Sequence, residues 1–134
     1  MAETAAMPSL EEARGWIGAK LADRDGDGVG EVHCVYVDEP SRNPVWLIVR
    51  IGRRRRPRLV AVPLRECAGA PFGVWVAEEV ETIRHAPVVD PTRPLRREHE
   101  LAIGAHYDIG DSVGRPAEVS GRAEGEVTAT PVAA

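Results

Sequence analysis

The most informative stretch of the sequence is Val45-Trp46-Leu47-Ile48-Val49-Arg50-Ile51. Successive side chains of a β-strand point to opposite faces, so its odd-numbered residues would share one face and its even-numbered residues the other. Only the odd-numbered face is uniformly apolar, because the other carries Arg50. The stretch therefore predicts a strand whose odd-numbered face packs on a core, with Trp46 on the opposite face.

Four further short apolar runs flank this stretch, at 16–22, 32–37, 59–64 and 74–76. Turn residues separate the runs, and five such runs at short intervals are typical of an all-β barrel or sandwich. The turns at 25–28 and 39–44 are short enough to be hairpin connections, which favours antiparallel strands, because parallel neighbours need longer crossovers. In the run at 32–37 the apolar residues change parity, which predicts a β-bulge near His33 or Cys34.

Helices are predicted before and after these strands. Ser9 and Glu12 have the spacing of a capping box, and Gly15 is a suitable stop, so a short helix leads into the first strand. One or two short helices follow the strands, at 77–84 and 96–106, where the apolar residues have helical spacing. We therefore divide the chain into a lead-in at 1–14, a barrel domain at 15–107 and a tail at 108–134, which is predicted to be disordered because it lacks clustered apolar residues.

Composition limits the class of protein. The 134 residues, 43% of them hydrophobic, suffice for one domain with one core, and the formal charge of −4 gives no general attraction to nucleic acid or anionic membranes. We find no secretory signal pattern and no run of about 20 apolar residues, so we expect a cytoplasmic protein without a membrane insertion. Cys34 and Cys67 lack metal-ligand spacing and are expected to be buried thiols, with a disulfide between them left open.

The motifs that could carry catalysis or metal binding are weak. Asp23-Arg24-Asp25-Gly26-Asp27-Gly28 resembles the first half of a calcium loop, but Cys34 stands where the loop needs its last carboxylate. The four histidines lack convincing ligand spacing, and no nucleophile elbow, phosphate loop or dinucleotide fingerprint is present. We predict no metal site, no cofactor and no enzymatic activity.

Two sets of residues are candidates for binding a partner. The first is the arginine run Arg53, Arg54, Arg55, Arg56 and Arg58. Guanidiniums on one loop can bind phosphates or carboxylates, although a solubilising hairpin loop has the same composition. The second set is Trp46, Trp75 and Tyr107. Both tryptophans lie opposite the predicted core faces and, if exposed, would anchor a partner protein or a second copy. The alternative is that the C-terminal helices cover them.

The order of these features resembles the PRC-barrel family, named after the H subunit of the photosynthetic reaction centre. The resemblance spans 15–107 and rests on Trp16-Ile17-Gly18, the turn and strand entry at 23–32, Val35-Tyr36-Val37-Asp38, Pro44-Val45-Trp46-Leu47, Val62-Pro63-Leu64, Val80, Ala86-Pro87, and the segment from Leu95 to His106-Tyr107.

The resemblance implies a small, strongly bent antiparallel β-barrel of about five to six strands that serves as an assembly module. Similar domains form the extra-membrane part of the reaction-centre subunit and a C-terminal barrel of ribosome maturation factors. We therefore predict a non-catalytic protein-interaction module, with homodimerisation as the preferred interaction. The alternative function is an RNA- or ribosome-associated accessory factor that uses the arginine run.

Overall fold

The computed structural model describes residues 8–39, 41–53, 55–70, 73–108 and 123–132. Within these residues it contains three short helices and eight strands. In chain order they are α1 (Leu10–Arg14), β1 (Lys20–Ala22), β2 (Gly28–Asp38), β3 (Pro44–Arg53), β4 (Arg56–Pro63), β5 (Ala68–Ala70), β6 (Gly73–Trp75), α2 (Val80–Arg84), β7 (Leu95–Arg96), α3 (Arg97–His106) and β8 (Val127–Val132). The strand-rich fold class predicted from the sequence is confirmed.

The strands form one sheet in the order β4-β3-β2-β1-β6-β5, and β8 pairs with β2 and β7. No pairing among the described residues joins β4 to β5, so the sheet is open and the predicted barrel is only partly formed. The prediction of purely antiparallel strands is wrong for one pair, since β1 and β6 run parallel. The long connection from β1 to β6, which contains four other strands, makes this crossover possible.

The β2–β3–β4 ladder forms the centre of the sheet. The strand pairs at the two predicted turns, β1–β2 and β2–β3, are antiparallel as predicted, and β3–β4 is antiparallel too. The register of β2 against β3 shifts between Val32 and Cys34. This shift confirms the bulge predicted at His33 or Cys34. Gly30 is required beside the bulge, because a Cβ atom there would lie 2.0 Å from the carbonyl oxygen of Arg50.

The helices are short and cover the sheet. Ser9 caps α1 by accepting a hydrogen bond from the Glu12 N–H at 3.1 Å, and α1 ends at Gly15, as predicted. Helix α3 begins within one residue of the predicted start, and the His99 ring accepts from the Arg96 N–H at 3.1 Å. Ile83 of α2 and Ile103 of α3 are fully buried, so both helices contribute to the single core.

The tail differs most from its prediction. Residues 127–132 form β8, so the predicted disorder of 108–134 is wrong for this segment, and residues 109–122 lie outside the described residues. Ala129 sits opposite Asp38 of β2 on one side and Leu95 of β7 on the other. The segment is ordered because neighbouring strands pair with both edges of its backbone.

Candidate interaction surfaces

Trp46 does not form part of a surface. Both faces of β3 are buried from Pro44 to Val49, and Trp46 is only 1% exposed. Its indole Nε1–H donates to the Glu100 carboxylate of α3 at 2.5 Å. The alternative left open by the sequence is therefore the one observed, since a C-terminal helix covers this tryptophan. The sequence does not identify Glu100 as the partner of Trp46, because nothing in the pattern around a charged residue indicates that it is buried.

The other two aromatic candidates divide between core and surface. Tyr107 is 3% exposed and its hydroxyl donates to the Ala61 carbonyl oxygen at 2.6 Å. Burial raises the pKa of this hydroxyl, which stays protonated. Trp75 is half-buried in β6. The structure therefore does not bring Trp46, Trp75 and Tyr107 together as one docking surface.

The arginine run forms the tip of the β3–β4 hairpin. Arg53 pairs with Arg56 as the last residue pair of the ladder, and the side chains of Arg53, Arg55 and Arg56 are exposed. Arg54 lies outside the described residues. Gly52 precedes the tip with a φ of +91°, a conformation that L side chains rarely adopt. The hairpin thus ends in several exposed arginines, two of which are paired through their backbones.

The pairing of the arginines changes along this hairpin. Two to three residue pairs from the tip, Arg50 lies 3.5 Å from a Glu31 carboxylate oxygen, and Arg58 donates to the Arg84 carbonyl oxygen at 2.8 Å. At the tip, Arg53, Arg55 and Arg56 form no ion pair with any residue that the structure describes. The hairpin tip is therefore a local positive patch on a chain whose formal charge is −4.

The aspartate loop between β1 and β2 has an internal structural role. Asp23 is buried, and its two carboxylate oxygens accept from the N–H groups of Asp25, Asp27 and Val80 at 2.8–3.0 Å. Burial by itself raises the pKa of Asp23, but these backbone donors outweigh it and hold the pKa below the usual range. Carboxylate oxygens of Asp23, Asp25 and Asp27 lie within 4.8 Å of one another. Asp23 ties the β1–β2 turn to the start of α2.

His106 and the two cysteines are also titratable groups in or near the core, and each is either hydrogen-bonded or buried. The His106 Nε2 lies 2.7 Å from the Thr82 carbonyl oxygen, which joins α3 to α2. Cys34 and Cys67 are both buried free thiols, so the disulfide left open by the sequence is absent. Burial raises the pKa of Cys34 to about 11 and that of Cys67 to about 12, which keeps both thiols protonated at neutral pH.

A cavity of about 300 Å³ lies between the segment that follows α2 and the face of α3. Its lining includes Pro87, Val89, Pro94, Leu95, His99 and Ile103. Val88, also in the lining, is 65% exposed. Sequence reasoning did not identify this cavity, because its wall is built from a proline-rich connection that has no periodic pattern.

Among the described residues, none of the three helices has the length and apolar character of a membrane-spanning segment.

No curated protein sequence matches the chain significantly. A family model for the PRC-barrel domain matches residues 10–95, which is well over half of the chain. The match covers α1, every strand from β1 to β6, and α2, and it ends at the first residue of β7. The chain therefore belongs to the PRC-barrel family.

Proposed function

We propose that this protein is a non-catalytic assembly module of the cytoplasm that binds an acidic surface of a partner protein through the tip of its β3–β4 hairpin. The observation that carries this proposal is the exposed group Arg53, Arg55 and Arg56, which lacks acidic partners within the described chain. Other exposed arginines, such as Arg84 and Arg93, already have carboxylate neighbours. The guanidiniums of the tip are therefore free to form bidentate contacts with carboxylates of another molecule.

The hairpin also has the rigidity that a binding element requires. Its two strands pair over eight consecutive residue pairs, from Trp46 with Pro63 to Arg53 with Arg56. The buried end of this ladder lies in the core, and the pairing continues to Arg53 and Arg56, which restrains the backbone of these two residues before binding. A fixed backbone reduces the entropy lost on association.

The proposal of a non-catalytic role is supported by what the polar groups of the core already do. Asp23 accepts backbone hydrogen bonds, Glu100 accepts from Trp46, and His106 contacts a backbone carbonyl oxygen. General acid–base catalysis needs such groups within reach of a substrate proton. Here these side chains connect structural elements.

The test is a charge-reversed variant with Arg53→Glu, Arg55→Glu and Arg56→Glu, compared with a matched control that carries Arg14→Glu, Arg24→Glu and Arg93→Glu. Both variants change the net charge equally and alter exposed residues. In affinity purification from the cells that produce the protein, a partner retained by the wild type and the control should be lost from the hairpin variant. Retention of the same partners by the hairpin variant would contradict the proposal.

The second candidate function, binding to RNA or to a ribosomal particle, rests on the same arginines. No aromatic side chain of the described hairpin tip is interleaved with them for base stacking, so a protein surface is favoured. Fluorescence anisotropy with a single-stranded RNA at several salt concentrations separates the two functions. RNA binding that weakens steeply with salt and disappears in the hairpin variant would favour RNA, and no binding at low salt would exclude it.

A further inference from the structure

Strand β8 lies in a slot between two strands that are distant from it in the sequence. β2 pairs with β1 through its first residues and with β8 through residues 35–38, so both strands use the same edge of β2. On its other side β8 pairs with β7. The family match ends at residue 95, so β8 lies outside the matched residues. β8 occupies the slot between β2 and β7, and a strand of the same sequence from another molecule would fit the same slot.

The contacts of β8 have the character of peptide recognition by strand addition. The Glu39 N–H donates to the Thr128 carbonyl oxygen at 3.0 Å, and the uninterrupted register then places Pro131 opposite Tyr36 at a non-hydrogen-bonded position. Pro131, which has no N–H, therefore loses no ladder bond there. Thr128 and Ala129 are buried, so the slot selects small side chains.

Polar side chains hold both ends of the segment. At one end, the Arg96 guanidinium donates to the Gly125 carbonyl oxygen at 2.7 Å, and Glu98 accepts from the Gly125 N–H at 2.9 Å. At the other end, the Thr130 hydroxyl donates to Glu39 at 2.7 Å. These hydrogen bonds are formed by atoms of residues 123–132, so they do not depend on the residues that connect this segment to α3.

The walls of the slot are joined to each other independently of β8. The Tyr36 hydroxyl, which projects from β2, lies 3.0 Å from the Asp90 carbonyl oxygen and 2.5 Å from that of Arg93, just before β7. The bond between Trp46 and Glu100 likewise fixes α3 on β3. None of these bonds involves β8, so they continue to hold the segment before β7 and helix α3 against the sheet when β8 leaves, while β7 has no other strand partner among the described residues.

We propose that the slot between β2 and β7 is a strand-binding site that also accepts residues 123–132 of a second copy of this chain, giving an exchanged dimer. Every copy carries the one segment whose fit to the slot is observed. The 14 residues at 109–122 can span up to about 46 Å when extended, which is enough to reach a neighbouring molecule. This inference is independent of the proposed role of the hairpin tip.

The chain's own segment competes with the incoming one at an effective concentration on the order of 1 mM. Exchange of this segment between molecules therefore becomes measurable at high protein concentration, or when the connection between α3 and β8 is cut. The test uses both conditions.

The test uses the full chain with a specific protease site inserted within 109–122 and cleaved after folding. A fluorescent peptide of residues 123–132 should then bind the cleaved protein with saturation, and about 100-fold more weakly to the uncleaved protein. The same peptide with Ala129→Glu is the matched control and should not bind, because residue 129 is fully buried in the slot. Absence of exchange by the wild-type peptide, equal binding of the control peptide, or unfolding of the cleaved domain would each overturn the proposal.

A second measurement identifies the occupant. Light scattering of the intact wild-type chain should show dimers as its concentration approaches the millimolar range, and the hairpin variant with three reversed charges should behave in the same way. A strictly monomeric mass over this range would overturn the second copy as occupant. Dimers of both proteins together with partner binding retained by the hairpin variant would contradict the hairpin proposal alone. Monomers together with partner binding lost only from the hairpin variant would contradict the slot proposal alone.

Discussion

The β2–β3–β4 ladder and β8 are parts of the same sheet, but different interactions stabilise them. The ladder is stabilised by its own large apolar side chains, which include Tyr36, Trp46 and Ile48, all almost fully buried. β8 contributes only Thr128 and Ala129 to the buried interior and is held by backbone pairing and polar contacts at its ends. The comparison shows that a strand can be ordered by the edges it meets as well as by its own hydrophobic residues.

This difference suggests that the two regions respond differently to substitution. Removing a large side chain from the ladder should unfold the domain, because a cavity opens where several elements pack. Changes to β8 should release the strand locally, because only two of its six residues are buried and it pairs with short stretches of β2 and β7. The predictions that follow test this separation, beginning with the largest effect.

Trp46→Ala should lower the free energy of unfolding by about 3–5 kcal/mol. The substitution removes a fully buried indole and also the donor to Glu100. Chemical denaturation followed by circular dichroism measures the change. Arg50→Ala on the same strand is the control and should cost less than about 0.5 kcal/mol, because Arg50 forms only an exposed ion pair. Similar losses for both variants would show that the ladder does not depend on its core residues.

Arg96→Ala should affect β8 and leave the ladder unchanged. The variant loses the hydrogen bond from the guanidinium to the Gly125 carbonyl oxygen, and the expected cost is about 0.5–1 kcal/mol. Hydrogen exchange should become faster by several-fold at residues 127–130 and stay the same in β3. Arg93→Ala, which removes an exposed ion pair nearby, is the matched control. Uniformly faster exchange throughout the sheet would contradict a local role for Arg96.

The same physical difference explains which parts of the fold the sequence could predict. The alternation at 45–51, the parity change at 32–37 and the cap at Ser9 are local signals, and β3, the bulge and α1 follow from them. β8 has no such signal, because its stability comes from the edges of β2 and β7, which are far away in the sequence. The parallel pairing of β1 with β6 is hidden for the same reason.

The sequence predicts one of the two candidate surfaces and not the other. The exposed arginines at the hairpin tip follow from composition, since guanidiniums on a turn stay in water. The position of Trp46 does not, because strand parity shows which residues share a face but not whether a helix covers that face. The contact between Trp46 and Glu100 of α3 joins residues 54 positions apart in the sequence, so local reasoning could not supply it.

Thr128→Val should stabilise the protein by up to about 1 kcal/mol. The Thr128 hydroxyl is buried and has no hydrogen-bond partner among the described residues, so its desolvation is not compensated. Valine has nearly the same shape and lacks the hydroxyl. Thermal unfolding should show a slightly higher midpoint, and Thr130→Val should lower it, because the Thr130 hydroxyl donates to Glu39. A lower midpoint for the Thr128 variant would indicate that the hydroxyl has a partner.

Acidification should loosen β8 before it affects the ladder. The backbone N–H of Gly125 donates to Glu98 and holds the pKa of this carboxyl below its usual range. A carboxyl with a lowered pKa in the folded state stabilises that state fully above its unfolded pKa, about 4.3, and the stabilisation is lost as the pH falls through the folded value. Hydrogen-exchange protection, corrected for the intrinsic pH dependence, should therefore decrease at residues 125–130 below about pH 4. The same decrease should be absent in Glu98→Gln, whose side chain does not titrate in this range, and its persistence there would assign the acid sensitivity to another group.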